Sequence, residues 1–263
     1  MRTVPAKNGW FWLLKGFALF RRNPAMWIFL IFTYWIAVTL LGQIRYVGPA
    51  VSTVLLPAFS VSFMVMCAVL DRGGVLQPAM LVSGFRQRLA TLIALGAAYL
   101  VAIVATLAVS SLADSGALLR WVLSGEHPST EALGDGSVSR ALLLAALASA
   151  PVLMAYWLAP VLAAWDRMGA VQSLFYSFFS VWRNWRAFFL YGAVLALVIA
   201  GFLVLVTFAA ILFRVQLQTL AFIAQLFVLF MLPAVFGSCY ASYRDIFPDR
   251  PGPGEAALPP ASP

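Results

Sequence analysis

The sequence predicts an all-α membrane protein, a polytopic bundle of six transmembrane helices. Three observations lead to this prediction. Of the 263 residues, 63% are hydrophobic and only 10% are charged, whereas soluble domains average roughly 25% charged residues. The hydrophobic residues are grouped in six long runs. The charged residues lie between these runs, where basic and aromatic side chains mark three shorter amphipathic segments.

Each apolar run has the roughly 17–25 nearly uncharged residues that a helix needs to cross a bilayer. The six predicted spans are residues 25–43, 48–70, 90–112, 141–165, 187–213 and 215–242. The even-numbered spans contain the prolines Pro57, Pro151, Pro160 and Pro233. Kinks at these prolines are tolerated where neighbouring helices satisfy the freed carbonyl groups. A competing topology joins the fifth and sixth runs, or treats the first as a cleaved leader, whereas we expect the first to be retained.

Three shorter segments are predicted to be interfacial helices on one side of the membrane. They cover about residues 9–22, 78–89 and 168–186. The third has the clearest pattern, with apolar side chains at helical spacing and serines on the opposite face. Each segment precedes two spans, and Arg22-Asn23 aligns with Arg183-Asn184. The sequence therefore predicts three tandem units, each made of one interfacial helix and one transmembrane hairpin.

The distribution of basic residues predicts the orientation, because the short cytoplasmic connections of membrane proteins carry an excess of lysine and arginine. Four of the 17 basic residues fall in the connections of one side, namely Arg45, Arg120, Arg140 and Arg214. The other thirteen fall at the termini and in the connections that contain the interfacial segments. Both termini are therefore predicted to be cytoplasmic, in a multi-pass membrane protein.

The spans and surface segments form one predicted membrane domain over residues 1–247. Residues 248–263 contain six prolines among glycine, alanine and acidic residues, a composition typical of a disordered tail. The one sizeable loop on the other side, residues 113–140, contains the single histidine, His127. Because no cysteine or second histidine accompanies it, we expect a solvated linker there and no metal site.

The sequence lacks the residues that common catalytic and transport mechanisms use. The six predicted spans contain no charged side chain, and a charge at the bilayer centre is normally retained only for function. No phosphate-binding loop, nucleophile elbow or zinc-protease motif is present in the sequence, and Cys67 and Cys239 have no metal-ligand spacing. We therefore expect no enzyme activity, no cofactor and no metal. The net charge of +8 is divided among short basic groups, which favours membrane lipid over nucleic acid as a partner.

Each surface segment ends in arginine just before a span begins, and these arginines are the candidate lipid contacts. Arginine binds phosphate through two parallel hydrogen bonds, and aromatic rings beside it mark headgroup depth. The candidate headgroup contacts are Arg22, Arg88, Arg183, Arg186, Trp182 and Trp185. We expect them to bind anionic lipid.

A second set of candidates lies where the even-numbered spans end. Acid–base pairs occur at these junctions as Asp71-Arg72, Asp166-Arg167 and, in reverse order, Arg244-Asp245. One interpretation is helix capping and membrane orientation, with Asp166 as the cap of the segment 168–186. The other is a shared polar ring under the bundle that contacts a phosphate headgroup or a protein partner.

Several motifs of the surface segments and junctions resemble those of a known family. GFALFRRNPAMW, the Asp-Arg-Gly-Gly and Asp-Arg-Met-Gly junctions, FFSVWRNWRAFF and the terminal SYRDIFP together resemble an uncharacterised family of proteobacterial six-span inner-membrane proteins. The resemblance covers roughly residues 9–247. No activity or catalytic residue is established for that family, so the resemblance implies fold and location only.

Two classes of function fit these observations. In the first, a non-enzymatic membrane protein organises anionic lipid or a membrane partner complex through its basic, aromatic cytoplasmic face. In the second, a transporter or lipid translocator has its pathway between the helix hairpins, near the prolines of the even-numbered spans. Tandem units without charge inside the membrane favour the first class.

Overall fold

A computed structural model describes residues 1–45, 47–124 and 134–250. These residues form helices and contain no strand. The α-helices are α1 (Asn8–Arg22), α2 (Pro24–Gly42), α3 (Val47–Asp71), α4 (Leu89–Asp114), α5 (Ala117–Ser124), α6 (Ser137–Tyr156), α7 (Ala159–Trp165), α8 (Ala170–Arg183), α9 (Trp185–Phe213) and α10 (Leu217–Ile246), with a 3-10 helix at Pro78–Arg86. The predicted tail beyond Arg250 and His127 lie outside the described residues.

Six helical segments are long and apolar enough to cross a membrane, as the sequence predicts. They are α2, α3, α4, α6 continued by α7, α9, and α10. Helix α3 lies at the centre of the bundle. In its 18-residue apolar stretch 56% of the residues are buried, whereas in that of α9 only 6% are buried. The core forms where α3, α7 and α10 meet, around Phe63, Met66, Leu162 and Tyr243. The predicted all-α, six-span fold is therefore confirmed, and the tandem-unit arrangement stays a prediction.

The fourth span differs from its prediction, because residues 141–165 do not form one continuous helix. Helix α6 ends at Tyr156 and α7 begins at Ala159. At this break the Ser177 hydroxyl of α8 accepts a hydrogen bond from the Leu158 N–H and donates one to the Met154 carbonyl, both at 2.9 Å. A side chain inserted between groups four residues apart is a recognised cause of a helix kink. Pro160, which has no N–H to continue the ladder, follows within the first turn of α7.

The three predicted surface segments pack on the spans through small residues. Gly16 of α1 contacts α10 at Ala234, and Gly84 of the 3-10 helix contacts α3 at Ala58. Ser177 of α8 fills the break described above. The second segment, predicted as an interfacial helix at 78–89, is a 3-10 helix that ends at Arg86. The third, predicted to extend over 168–186, ends at Arg183, so that Trp185 and Arg186 belong to α9.

Both ends of the described chain lie on the same side of the bundle. The Arg2 N–H donates to the Ile246 carbonyl at 3.0 Å, and the Val4 N–H donates to the Asn184 side chain at 2.7 Å. These two hydrogen bonds attach the N-terminal segment to the end of α10 and to the junction of α8 and α9. We call this end of the molecule, with α1, the 3-10 helix and α8, the basic face.

Candidate functional site: the basic face

Helix α8 is amphipathic in the reverse sense to a helix on a soluble protein. Its serines Ser173, Ser177 and Ser180 are fully buried against the bundle. Its apolar side chains point outward, with Phe175 58% and Trp182 61% exposed. In water this arrangement would leave an apolar surface uncovered, whereas in a bilayer lipid covers it. The serine face that the sequence reveals is thus the inner face.

Two of the four candidate arginines flank this outward aromatic surface. Arg183 ends α8, Arg186 lies in the first turn of α9, and both are exposed. Trp185 is 57% exposed, and the Arg186 guanidinium lies 5.6 Å from the centre of its ring. Within the part of the chain that the structure describes, Arg183 has no hydrogen-bond or ion-pair partner. These side chains are therefore placed to contact a ligand outside the protein.

The other two candidate arginines bind carbonyl groups at the ends of spans. Arg22 donates to the Leu70 carbonyl in the last turn of α3. Arg88 donates to the carbonyl of Arg167, which follows α7. The final carbonyls of a helix lack partners within the helix and carry its negative dipole end, so a guanidinium there stabilises the helix end. Arg22 thus joins the start of α2 to the end of α3, and Arg88 joins the start of α4 to the chain just after α7.

Asp71 and Asp166 both receive a hydrogen bond from α10. Tyr240 donates to Asp71 at 3.1 Å, and Tyr243 donates to Asp166 at 3.3 Å. Lys15 of α1 completes the first group, since its Nζ lies 3.2 Å from an Asp71 oxygen. The two junction acids are therefore held by one turn of a single helix.

Asp166 does not cap the surface helix that follows it, contrary to the prediction. The N-cap of α8 is Gly169, which makes no side-chain capping bond. Asp166 instead turns toward α10, where it accepts a hydrogen bond from Arg250 as well as from Tyr243. Burial raises the pKa of the Asp166 carboxyl above its ordinary value, against the opposing effect of Arg250. A buried carboxylate requires hydrogen-bond partners from the protein, whereas water can satisfy the N–H groups at an exposed helix start.

The third junction, Arg244-Asp245, faces the N-terminal segment. Asp245 accepts hydrogen bonds from Arg2, from the Asn8 amide at 2.6 Å and from the Trp12 indole at 3.0 Å. Arg244 donates to the Arg250 carbonyl at 3.1 Å. The structure therefore brings Asp71 and Asp166 together around α10, while Asp245 fastens α1 on another side. Arg72 lies beside Arg22 in an open cleft at the end of α3.

Sequence reasoning missed several residues of these junctions. Lys15, Tyr240 and Tyr243 each bind a junction acid, and Asn184 holds the N-terminal segment. The two tyrosines are three residues apart, so helical spacing already placed them on one face of α10. No local signal revealed the acids they bind.

A cavity of about 180 Å³ lies within the bundle, between α3, α4, α6, α7 and α10. Its lining includes Pro57 and Pro160 from the even-numbered spans, together with Tyr156, Trp157 and Cys239. The described residues contain no group of three or more histidine, cysteine or acidic side chains that could hold a metal ion.

The six spans and the apolar outer surface define a multi-pass membrane protein. The chain is 36% identical to a probable inner membrane protein of Burkholderia thailandensis over 266 aligned positions, which cover 97% of this chain and 96% of the relative. The chain belongs to the family of this inner membrane protein, which confirms the resemblance seen in the sequence. No family model matches the chain, and no solved structure matches it.

Proposed function

We propose that this protein is a non-enzymatic membrane protein that organises anionic lipid through its basic face. The observation that carries the proposal is the outward surface of α8 and the start of α9. There, Trp182 and Trp185 stand exposed beside Arg183 and Arg186. A membrane protein partner with an acidic surface is the alternative occupant of the same surface.

Charge and geometry support lipid as the ligand. Each basic residue near an anionic membrane surface contributes about 1 kcal/mol to its attraction. Tryptophan prefers the headgroup region, which positions the neighbouring guanidinium groups among phosphates. Arg22 and Arg88 differ, because each already donates to a backbone carbonyl. We therefore assign lipid binding mainly to Arg183 and Arg186, and a structural role to the other two.

A comparison of two double variants tests this division. We expect Arg183→Gln with Arg186→Gln to weaken binding of the purified protein to phosphatidylglycerol roughly 10–30-fold, since two bases are lost at about 1 kcal/mol each. Its melting temperature should stay close to that of the parent. Arg22→Gln with Arg88→Gln should instead lower the melting temperature and change lipid affinity less. Native mass spectrometry and thermal unfolding in detergent measure the two effects.

The variants remove equal charge, so a general loss of attraction would affect both alike. If the two double variants lose affinity equally, headgroup binding is not localised at the α8–α9 surface. If neither loses affinity, the arginines serve only orientation, and the lipid-organising role loses its main support.

We further propose that the basic face is cytoplasmic, because it carries thirteen of the 17 lysine and arginine residues. Single cysteines at Gly134 and Gly169 test this in a background without Cys67 and Cys239. Both glycines have open space around the position of an added side chain. An impermeant thiol reagent on intact spheroplasts should label the cysteine at position 134 and spare the one at 169. The reverse pattern would contradict the proposed orientation.

The second candidate function, transport or lipid translocation between the hairpins, is favoured by one observation. The cavity between α3, α4, α6, α7 and α10, which we call the central cavity, is lined by Pro57 and Pro160. The sequence predicts a transport pathway near these same prolines. A hydrated pathway requires polar groups free to contact a solute. Most of the polar groups lining the cavity are instead bonded within the protein. Ser60 donates to the Leu56 carbonyl at 2.9 Å, Tyr156 to the Leu95 carbonyl and the Trp157 indole to Ser242. This supports the lipid-organising class over solute transport.

A further inference from the structure

The central cavity lies at the depth of the middle of the membrane. Tyr99, which lines it, is ten positions after the start of α4 at Leu89, about 15 Å along the helix at 1.5 Å per residue. The hydrocarbon core of a bilayer is about 30 Å thick, so Tyr99 lies near its midplane. The phosphate and ester groups of a phospholipid lie outside that core and do not reach this depth.

The lining of the central cavity is apolar and largely aromatic. Tyr99, Tyr156, Trp157 and Phe236 contribute rings to it, and the ring centres of Tyr99 and Tyr156 are 4.8 Å apart. The described residues that line the cavity include no charged side chain. A charged ligand would therefore lose its hydration without gaining a partner of opposite charge. The ligand that suits this lining is neutral and rich in apolar surface.

The Tyr99 hydroxyl is the exception among the hydrogen-bond donors of this lining. Ser60, Tyr156, Trp157 and Cys239 each donate to a group of the protein. The Tyr99 hydroxyl makes no hydrogen bond to any residue that the structure describes. An unpaired hydroxyl is costly in hydrocarbon, where lipid chains offer no acceptor. A ligand with an acceptor oxygen would therefore be held at this residue.

The size of the central cavity suits a six-membered ring. Its volume is about 180 Å³, and a dry apolar cavity of about 150 Å³ holds benzene. Pro57, Met64 and Val161 are buried where they line it, whereas Leu153 is 54% exposed. The cavity is therefore closed toward α3 and α7 and open beside α6, where a molecule dissolved in the bilayer can enter.

A second opening, of about 260 Å³, adjoins the central cavity between α4 and α6 and shares Tyr99 and Leu153 with it. Its polar side chains include Thr106 and Ser149, whose hydroxyls donate to carbonyls of their own helices, as hydroxyls in apolar helices commonly do. The second opening therefore offers an apolar space beside the ring-sized cavity, suited to the tail of a ligand.

We propose that the central cavity binds a quinone, with one ring carbonyl oxygen accepting a hydrogen bond from the Tyr99 hydroxyl. A quinone is neutral and planar, carries acceptor oxygens on its ring, and dissolves in the bilayer interior when it has an apolar tail. Aromatic side chains such as Tyr156, Trp157 and Phe236 favour a planar ring through offset or edge contacts, and the tail occupies the second opening. This site contains none of the arginines of the basic face, so it is independent of the lipid surface proposed above.

Native mass spectrometry of the full-length protein, titrated with decyl-benzoquinone or with decylbenzene, tests the site. The two probes share a six-membered ring and a tail, but only the first has carbonyl groups. We expect the parent to bind one decyl-benzoquinone. Tyr99→Phe should weaken this binding about fivefold, the loss expected for one hydrogen bond, and leave decylbenzene binding unchanged. Tyr34→Phe is the matched control, because Tyr34 of α2 lies outside the lining and is likewise without a hydrogen-bond partner in the described chain.

A second pair of variants tests the cavity itself. Val235 lines the central cavity from α10, so Val235→Trp should fill it and abolish binding of both probes. Val228 lies about two turns away on the same face of α10 and is 57% exposed outside the cavity. Val228→Trp should therefore bind both probes as the parent does.

Three results would overturn the proposal. The first is the absence of saturable decyl-benzoquinone binding by the parent. The second is unchanged binding by Tyr99→Phe, with a melting temperature close to that of the parent, which would show that the hydroxyl holds no ligand oxygen. The third is an equal loss in Tyr99→Phe and Tyr34→Phe, which would show that tyrosine hydroxyls act through the stability of the bundle. None of these results bears on lipid binding at Arg183 and Arg186, which the double variants test separately.

Discussion

Replacing Gly16 by alanine should destabilise the protein, whereas replacing Gly192 by alanine should stabilise it. A Cβ atom at Gly16 would lie 2.8 Å from the backbone nitrogen of Ser238, and closer still to the Ala234 carbonyl oxygen. The backbone of α10 cannot turn aside as a flexible side chain can, so we expect a loss of about 1–3 kcal/mol in the free energy of unfolding. Gly192 has nothing within 4 Å, and alanine there should add up to about 1 kcal/mol through helix propensity.

Thermal unfolding in detergent, followed by circular dichroism, measures both variants. Limited trypsin digestion adds a local test, because release of α1 from α10 would make cleavage at Lys15 and Arg21 faster in the Gly16 variant. Opposite shifts are the expected result. Stabilisation by both substitutions would show that helix propensity outweighs the close contact between α1 and α10.

Ser177→Ala should be the most damaging substitution on the buried face of α8. The Ser177 hydroxyl satisfies both the Leu158 N–H and the Met154 carbonyl at the break in the fourth span. Each buried polar group left without a partner costs about 1–3 kcal/mol, so we expect a loss of about 2–4 kcal/mol for the pair. Ser177 is fully buried, so water does not reach these groups to replace the hydroxyl.

Ser180→Ala is the matched control for this substitution. Ser180 is as fully buried as Ser177 and lies on the same face of α8, but its hydroxyl donates only to the Tyr176 carbonyl of its own helix. Its removal should change the melting temperature little. Equal effects of the two substitutions would mean that the Leu158 N–H and the Met154 carbonyl find other partners once the hydroxyl is removed.

The sequence by itself determined the number of spans and the end of the molecule at which each junction lies. A helix must present about 20 apolar residues to cross the hydrocarbon core, and that requirement is local, so hydropathy alone identifies the six spans. Helical spacing likewise separated the serine face of α8 from its aromatic face. Both properties depend only on neighbours along the chain.

Only the tertiary structure decided which face of α8 is buried and what each junction residue binds. The hydrogen bond of Tyr243 to Asp166 joins residues 77 positions apart, and that of Arg88 to Arg167 joins residues 79 positions apart. The four arginines look alike in sequence because each ends a surface segment. Arg22 and Arg88 donate to carbonyl groups at or just after a helix end, whereas Arg183 and Arg186 make no such bond. That difference depends on how the hairpins pack. The break at Leu158 has the same origin, since proline permits a kink but the Ser177 hydroxyl from another helix stabilises it.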